Sequence, residues 1–125
     1  MRMIAHRRHR LELTLWTMTD PFLLVQLSDP HIGATWADGD PLAGLAAAIE
    51  AVRAIRPRPD AVLISGDLAD SGADSEYAAI RELVAPLFVP VFVLAGNQDD
   101  RAVLRRQFDL PATETDEVAC RVHCE

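Results

Sequence analysis

"VFVLAGNQDDR", residues 91 to 101, carries five apolar residues straight into Gly96-Asn97 and a cluster of amide and carboxylate side chains. A short apolar run closed by a turn signal predicts a strand buried on both faces. Two earlier stretches behave alike: "FLLVQL" (22–27) runs into "SDPHIG" (28–33), and "AVLIS" (61–65) into "GDLADSG" (66–72). One strand ending in oxygen-bearing side chains is a turn; three in one short chain demand a common explanation.

Between these strands the spacing predicts helices. Asp40 and Pro41 supply an N-cap and a first-turn proline, and Leu42, Leu45, Ala46, Ile49 and Val52 recur at helical spacing until Pro57 and Pro59. Asp74 or Ser75 caps a second helix with Tyr77, Ile80, Val84 and Leu87 on one face, and Pro90 returns the chain to strand. A third helix begins near Asp99 or Asp100 and carries Val103, Leu104 and Phe108. This alternation predicts an α/β fold, a parallel sheet of βαβαβ units with helices packed on it and right-handed connections.

In such a sheet the carboxyl ends of the strands open onto one edge, so the three turns become neighbours. One rim then gathers Asp29, His31, Asp67, Asp70, Asn97, Asp99 and Asp100. Carboxylates that close repel one another by an energy on the order of kilocalories per pair. Arg101 is the basic residue near them in sequence, and no Gly-x-Gly-x-x-Gly or Walker-type loop offers amides to a phosphate. Oxygen donors with one imidazole and one carboxamide suit divalent Mn, Fe or Zn.

Composition narrows the partners. The 125 residues are 50% hydrophobic, enough for one domain with a core. The net charge is −7; four arginines and two acids give the first twenty residues +2, which leaves −9 for the rest. A body this acidic is a poor match for nucleic acid or an anionic membrane surface. No apolar run approaches the ~20 residues of a membrane-spanning helix, so a soluble protein is expected. Two cysteines, Cys120 and Cys124, fit a reducing cytoplasm. With His123 they form C-x2-H-C, but zinc needs further ligands on a second element, and a plain tail is the expectation. His6 and His9 in "HRRHR" belong to a basic leader.

Three regions follow: residues 1–20, a disordered or mis-started leader with Met18 just ahead of the periodic sequence; 21–110, the domain; and 111–125, an irregular tail. "TETDEVACRVHCE" shows neither a strand run nor a helical period, which suggests a truncated or frame-shifted end.

The ordered set Asp-x-His, Gly-Asp-x-x-Asp and Gly-Asn-x-Asp, each at a strand end, resembles the calcineurin-like metallophosphoesterases. The wording "LSDPHIG", "GDLADSG", "GNQDDR" looks most like their bacterial class III cyclic-nucleotide phosphodiesterase branch, over residues 22–110. The resemblance implies the first half of a four-layer αββα fold. It implies a first metal held by Asp29, His31 and Asp67, and a second bridged by Asp67 and held by Asn97. Two such ions about 4 Å apart bind a water and aim it at phosphorus. The family carries histidine where this chain has Gln98; that histidine meets the phosphate, protonates the leaving oxygen and is oriented by the carboxylate matching Asp70. Glutamine keeps the hydrogen bonding without the proton, and Asp70 is left to accept from its amide.

The family completes its metals with a further histidine and a Gly-His-x-His motif, whereas this chain offers only His123 after Asn97. Weak, exchangeable metal binding with an incomplete second site is therefore expected. Without a second sheet, apolar area on the first stays uncovered and invites self-association. The implied activity is metal-dependent hydrolysis of small phosphate esters, cyclic nucleotides among them; the alternative is a non-catalytic remnant that at most binds metal or nucleotide. Plainer roles stand beside these. Asp29, Asp67 and Asn97 suit turns, and Asp38, Asp40, Asp74, Asp99 and Asp100 suit caps and solvated surface. Trp36, in the loop after the first strand, is a candidate lining for a substrate pocket.

Overall fold

The computed structural model describes residues 21–110 and the backbone of residues 119–122. Strand β1 (Leu24–Ser28), helix α1 (Pro41–Ala54), β2 (Ala61–Gly66), α2 (Asp74–Val84), β3 (Val91–Ala95), α3 (Arg101–Phe108) and β4 (Ala119–Val122) follow in order. They build one sheet in the order β1-β2-β3-β4. The first three strands are parallel, as the sequence predicts.

Register decides which side is core. Val25 lies opposite Val62 and Val62 opposite Val91, so with a period of two the residues 25, 27, 62, 64, 91 and 93 share one face. Val62, Ile64, Val91 and Val93 are fully buried there, in one cluster with Leu45, Ile49 and Val52 of α1, Tyr77, Ile80 and Val84 of α2, and Leu104 and Phe108 of α3. All three helices therefore pack on the same face. Each such aliphatic side chain contributes about 1.5–3 kcal/mol.

The expectation of strands buried on both faces is not met: even central β2, with Ala61 and Ser65 buried on its second face, leaves Leu63 there half-buried. The opposite face carries Leu24 and Leu94 exposed and Leu63 and Phe92 half-buried, with the Gln26 amide donating to Ser65 Oγ at 2.8 Å. Helices cover one side, and among the described residues no element packs on the other.

Helix starts follow side-chain chemistry, with one correction. Asp40 Oδ1 accepts the Leu42 N–H at 3.0 Å, and Asp100 Oδ1 accepts those of Ala102 and Val103 at 2.9 and 3.0 Å, so α1 and α3 begin as expected. Helix α2 is capped by neither Asp74 nor Ser75: its N-cap is Ala73, whose N–H donates to Glu76 at 2.9 Å. An alanine cannot cap, so the glutamate three residues on reaches back instead. Asp74 turns to α3, where Gln107 and Arg106 donate to it at 2.8 Å; these bonds, Gln107 first, hold its carboxyl below the usual aspartate value. Leu87, expected on α2, is buried just beyond the helix end.

The tail also departs from expectation. Residues 119–122 are not irregular but pair antiparallel with β3, Ala119 opposite Leu94 and Val122 opposite Val91. The outer edge of β3 offers unpaired N–H and C=O groups, and any extended segment within reach gains by filling them. Residues 1–20, 111–118 and 123–125, with His6, His9 and His123, lie outside the described residues, as do the side chain of Cys120 and all of Cys124. Among the described residues no helix is long and apolar enough to cross a membrane.

Candidate metal centre

The turn after β1 is bent into a conformation few residues adopt. Asp29 and His31 both have positive φ, 51° and 45°, in the left-handed region that costs most residues about 1 kcal/mol or more. Backbone bonds to the neighbouring turn hold it there. The Asp29 N–H donates to Ser65 O at 2.8 Å, His31 to Asp67 O at 3.0 Å and Ile32 to Leu68 O at 2.9 Å, while Asp70 returns one to Ile32 O at 3.0 Å. The first two turns thus run alongside each other as an extension of the sheet.

That pairing brings one ligand atom each from Asp29, His31 and Asp67 to within 4.8 Å of one another. His31 Nε2 is 3.9 Å from Asp67 Oδ2. Two glycines make room. A side chain on Gly66 would overlap the Asp29 carboxylate, and one on Gly96 would overlap Asp67 and the backbone of Gly66. Gly66 also has φ 84°, so it is glycine for two reasons at once. The third turn is fixed to the second through Asp67, whose Oδ1 accepts the Gln98 N–H at 3.0 Å. Asn97 is thereby held between two contacts to Asp67, on the same rim and exposed.

Asp70 stands differently from the expectation. Its Oδ1 lies 3.5 Å from His31 Nδ1 and accepts the Trp36 indole N–H at 3.0 Å; the bond comes from Trp36, not from the Gln98 amide. Trp36 also meets the His31 ring edge to face, centroids 5.1 Å apart at 77°. Gln98 acts on the centre through its main chain while its residue is exposed.

Asp99 is the residue that sequence reasoning misplaced. It is not solvated surface but 6% exposed, and four donors converge on it. Oδ2 accepts the N–H groups of Gly96 and Leu68 at 2.8 and 3.1 Å; Oδ1 accepts the Tyr77 hydroxyl and the Ala69 N–H at 2.9 and 3.0 Å. Tyr77 in turn accepts the Asp100 N–H at 2.9 Å. One carboxylate therefore ties α2 to the turns carrying Asp67 and Asn97. In sequence either acid could cap α3, and the structure gives that place to Asp100 and turns Asp99 inward.

Burial, then the bond to Asp99, pushes the Tyr77 phenol well above its ordinary 10.0. Below that pH the group is neutral in folded and unfolded chain alike. Above it the unfolded chain ionises first, so stability falls as pH rises. Urea unfolding on either side of about pH 10 should show this alkaline loss, and Tyr77→Phe should abolish it.

The donor set fits a divalent cation. Asp29 Oδ1 and Asp67 Oδ1 each take one backbone N–H, from Asp67 at 3.2 Å and from Gln98, which leaves a second oxygen on each. His31 Nδ1 is buried without a hydrogen-bond partner and faces Asp70. With its proton on that side, His31 offers the Nε2 lone pair to an ion, the usual arrangement of a carboxylate-backed histidine ligand.

Comparison with known proteins agrees. Residues 22–121 match the model of the calcineurin-like phosphoesterases. The chain is 40% identical over 90 residues to a 3′,5′-cyclic adenosine monophosphate phosphodiesterase of Pseudomonas aeruginosa, covering 67% of this chain and 32% of that protein. It is 36% identical over 110 residues to a cAMP/cGMP dual specificity phosphodiesterase of Mycobacterium tuberculosis, covering 78% and 33%. A glycerophosphodiester phosphodiesterase of Enterobacter lignolyticus is 34% identical over 84 residues, covering 64% and 30%. The chain spans about a third of the length of these relatives. With three motif-bearing turns drawn to one rim and a match across most of its length, the chain belongs to the calcineurin-like phosphoesterase family.

Proposed function

We propose that this chain forms a divalent-metal centre for hydrolysis of small phosphodiesters, working in the cytoplasm, with Asp29, His31, Asp67 and Asn97 as ligands. The convergence of Asp29, His31 and Asp67 carries the reading. Two ions, Mn, Fe or Zn, suit it: Asp67 has Asp29 and His31 on one side and the Gly96–Gln98 turn on the other, where a carboxylate can be shared. When bound, the ions supply the positive charge that admits an anionic ester to an acidic rim and activates water.

The chain's own residues do the rest. Asp70 orients His31 through Nδ1 and so acts on the centre at one remove. Gln98, on the rim beside Asp67, donates a hydrogen bond to the phosphate or leaving oxygen but has no proton to transfer near neutral pH. The acidic body argues against nucleic acid and anionic membranes as partners, and the open sheet face with Leu24 and Leu94 is the surface for self-association. Gln98 favours one second reading, a centre that binds metal and phosphate without turning substrate over.

Hydrolysis of bis(4-nitrophenyl) phosphate with added manganese tests the proposal. A manganese-dependent rate that disappears in Asp67→Asn is expected. A rate indifferent to manganese or to Asp67 overturns it, and metal uptake without any rate leaves the second reading.

A further inference from the structure

Trp36 is an oddity of the rim. The residue is 67% exposed, although burying an indole is among the larger apolar gains a side chain can make. It is nevertheless fixed: its N–H is bonded to Asp70 Oδ1 at 3.0 Å and its ring stands edge to face with His31. An edge-to-face pair leaves at least one indole face open whichever ring supplies the edge. A rigid, open aromatic face therefore lies one ring away from a proposed metal ligand.

We propose that Trp36 is the specificity-determining residue of the centre, a stacking platform for a nucleobase whose phosphate sits at Asp29, His31 and Asp67. The inference rests on the metal-centre reading above and deepens it by choosing the ester class. In a nucleotide only the ribose separates base from phosphate, a reach matched to a platform that touches the ligand histidine. A glycerol ester has no π-face and gains nothing from the indole. Because every base has one, adenine and guanine are accepted alike.

Calorimetry on the manganese-loaded full chain tests this with two probes, adenosine 5′-monophosphate and glycerol 3-phosphate. The wild type should bind the nucleotide more tightly. In Trp36→Ala the ratio of the two affinities should fall by about tenfold or more, and in Trp36→Phe much of it should survive. A ratio unchanged in Trp36→Ala overturns the proposal, because equal losses mean that Trp36 acts only through Asp70 and His31. So does a wild type without preference. Failure of the underlying reading is seen separately, as no heat when manganese is titrated before either probe.

Discussion

Asp99→Asn is expected to destabilise the folded chain by about 2–6 kcal/mol, from two stranded donors at roughly 1–3 kcal/mol each. The four groups that converge on Asp99 are all donors, and its two oxygens accept two apiece. An asparagine keeps one oxygen and points an NH₂ at the other pair, so at least two buried donors lose their acceptor whichever way the amide is turned. Against a whole-domain stability of about 5–15 kcal/mol this is a large share. Urea unfolding measures it. Manganese affinity should fall in parallel, since the turns bearing Asp67 and Asn97 are both tied to that carboxylate. Tyr77→Phe, which leaves the three N–H donors to Asp99 satisfied and strands only the half-buried Asp100 N–H, should cost less and serves if Asp99→Asn does not fold. A fully stable Asp99→Asn protein with unchanged metal affinity would contradict the role given to Asp99.

Gln98→His is expected to raise the manganese-dependent rate by about 10²- to 10⁴-fold, the usual gain from a placed general acid. Residue 98 holds its place through its N–H bond to Asp67 Oδ1, which histidine retains, so the imidazole should enter the rim without moving the ligands. The gain should appear in kcat, since proton transfer to the leaving oxygen matters in the transition state and little in binding. Steady-state kinetics on both proteins at equal metal loading decide it. No rate in either protein, with metal bound in both, points to a binding centre without turnover, and an unchanged measurable rate denies residue 98 the acid's place.

The fold was legible where sequence pattern and topology agree. Three apolar runs, two well-capped helices and a parallel connection order lead directly to Asp29, His31 and Asp67 on one rim. What escaped depends on partners distant in the chain. Asp99 and Asp100 look alike in sequence; only the Tyr77 hydroxyl on α2 and the amides after β2 decide which one turns inward. The Trp36 bond spans 34 positions and required knowing that the loop after β1 folds back over Asp70. Burial of strands on both faces failed because apolar composition alone does not say how many layers cover a sheet. Strand β4 escaped because its pairing is owed to the free edge of β3 more than to its own residues.

The main-chain bond from residue 98 to Asp67 has an evolutionary corollary. Architecture there asks only for an amide hydrogen, which every amino acid but proline provides, whereas reactivity asks for a particular side chain. The two demands are uncoupled at one position. On the function proposed above, a lineage could therefore exchange the side chain at position 98 by a single replacement that leaves the scaffold intact, while Gly66 and Gly96, packed against Asp29 and Asp67, permit no such drift.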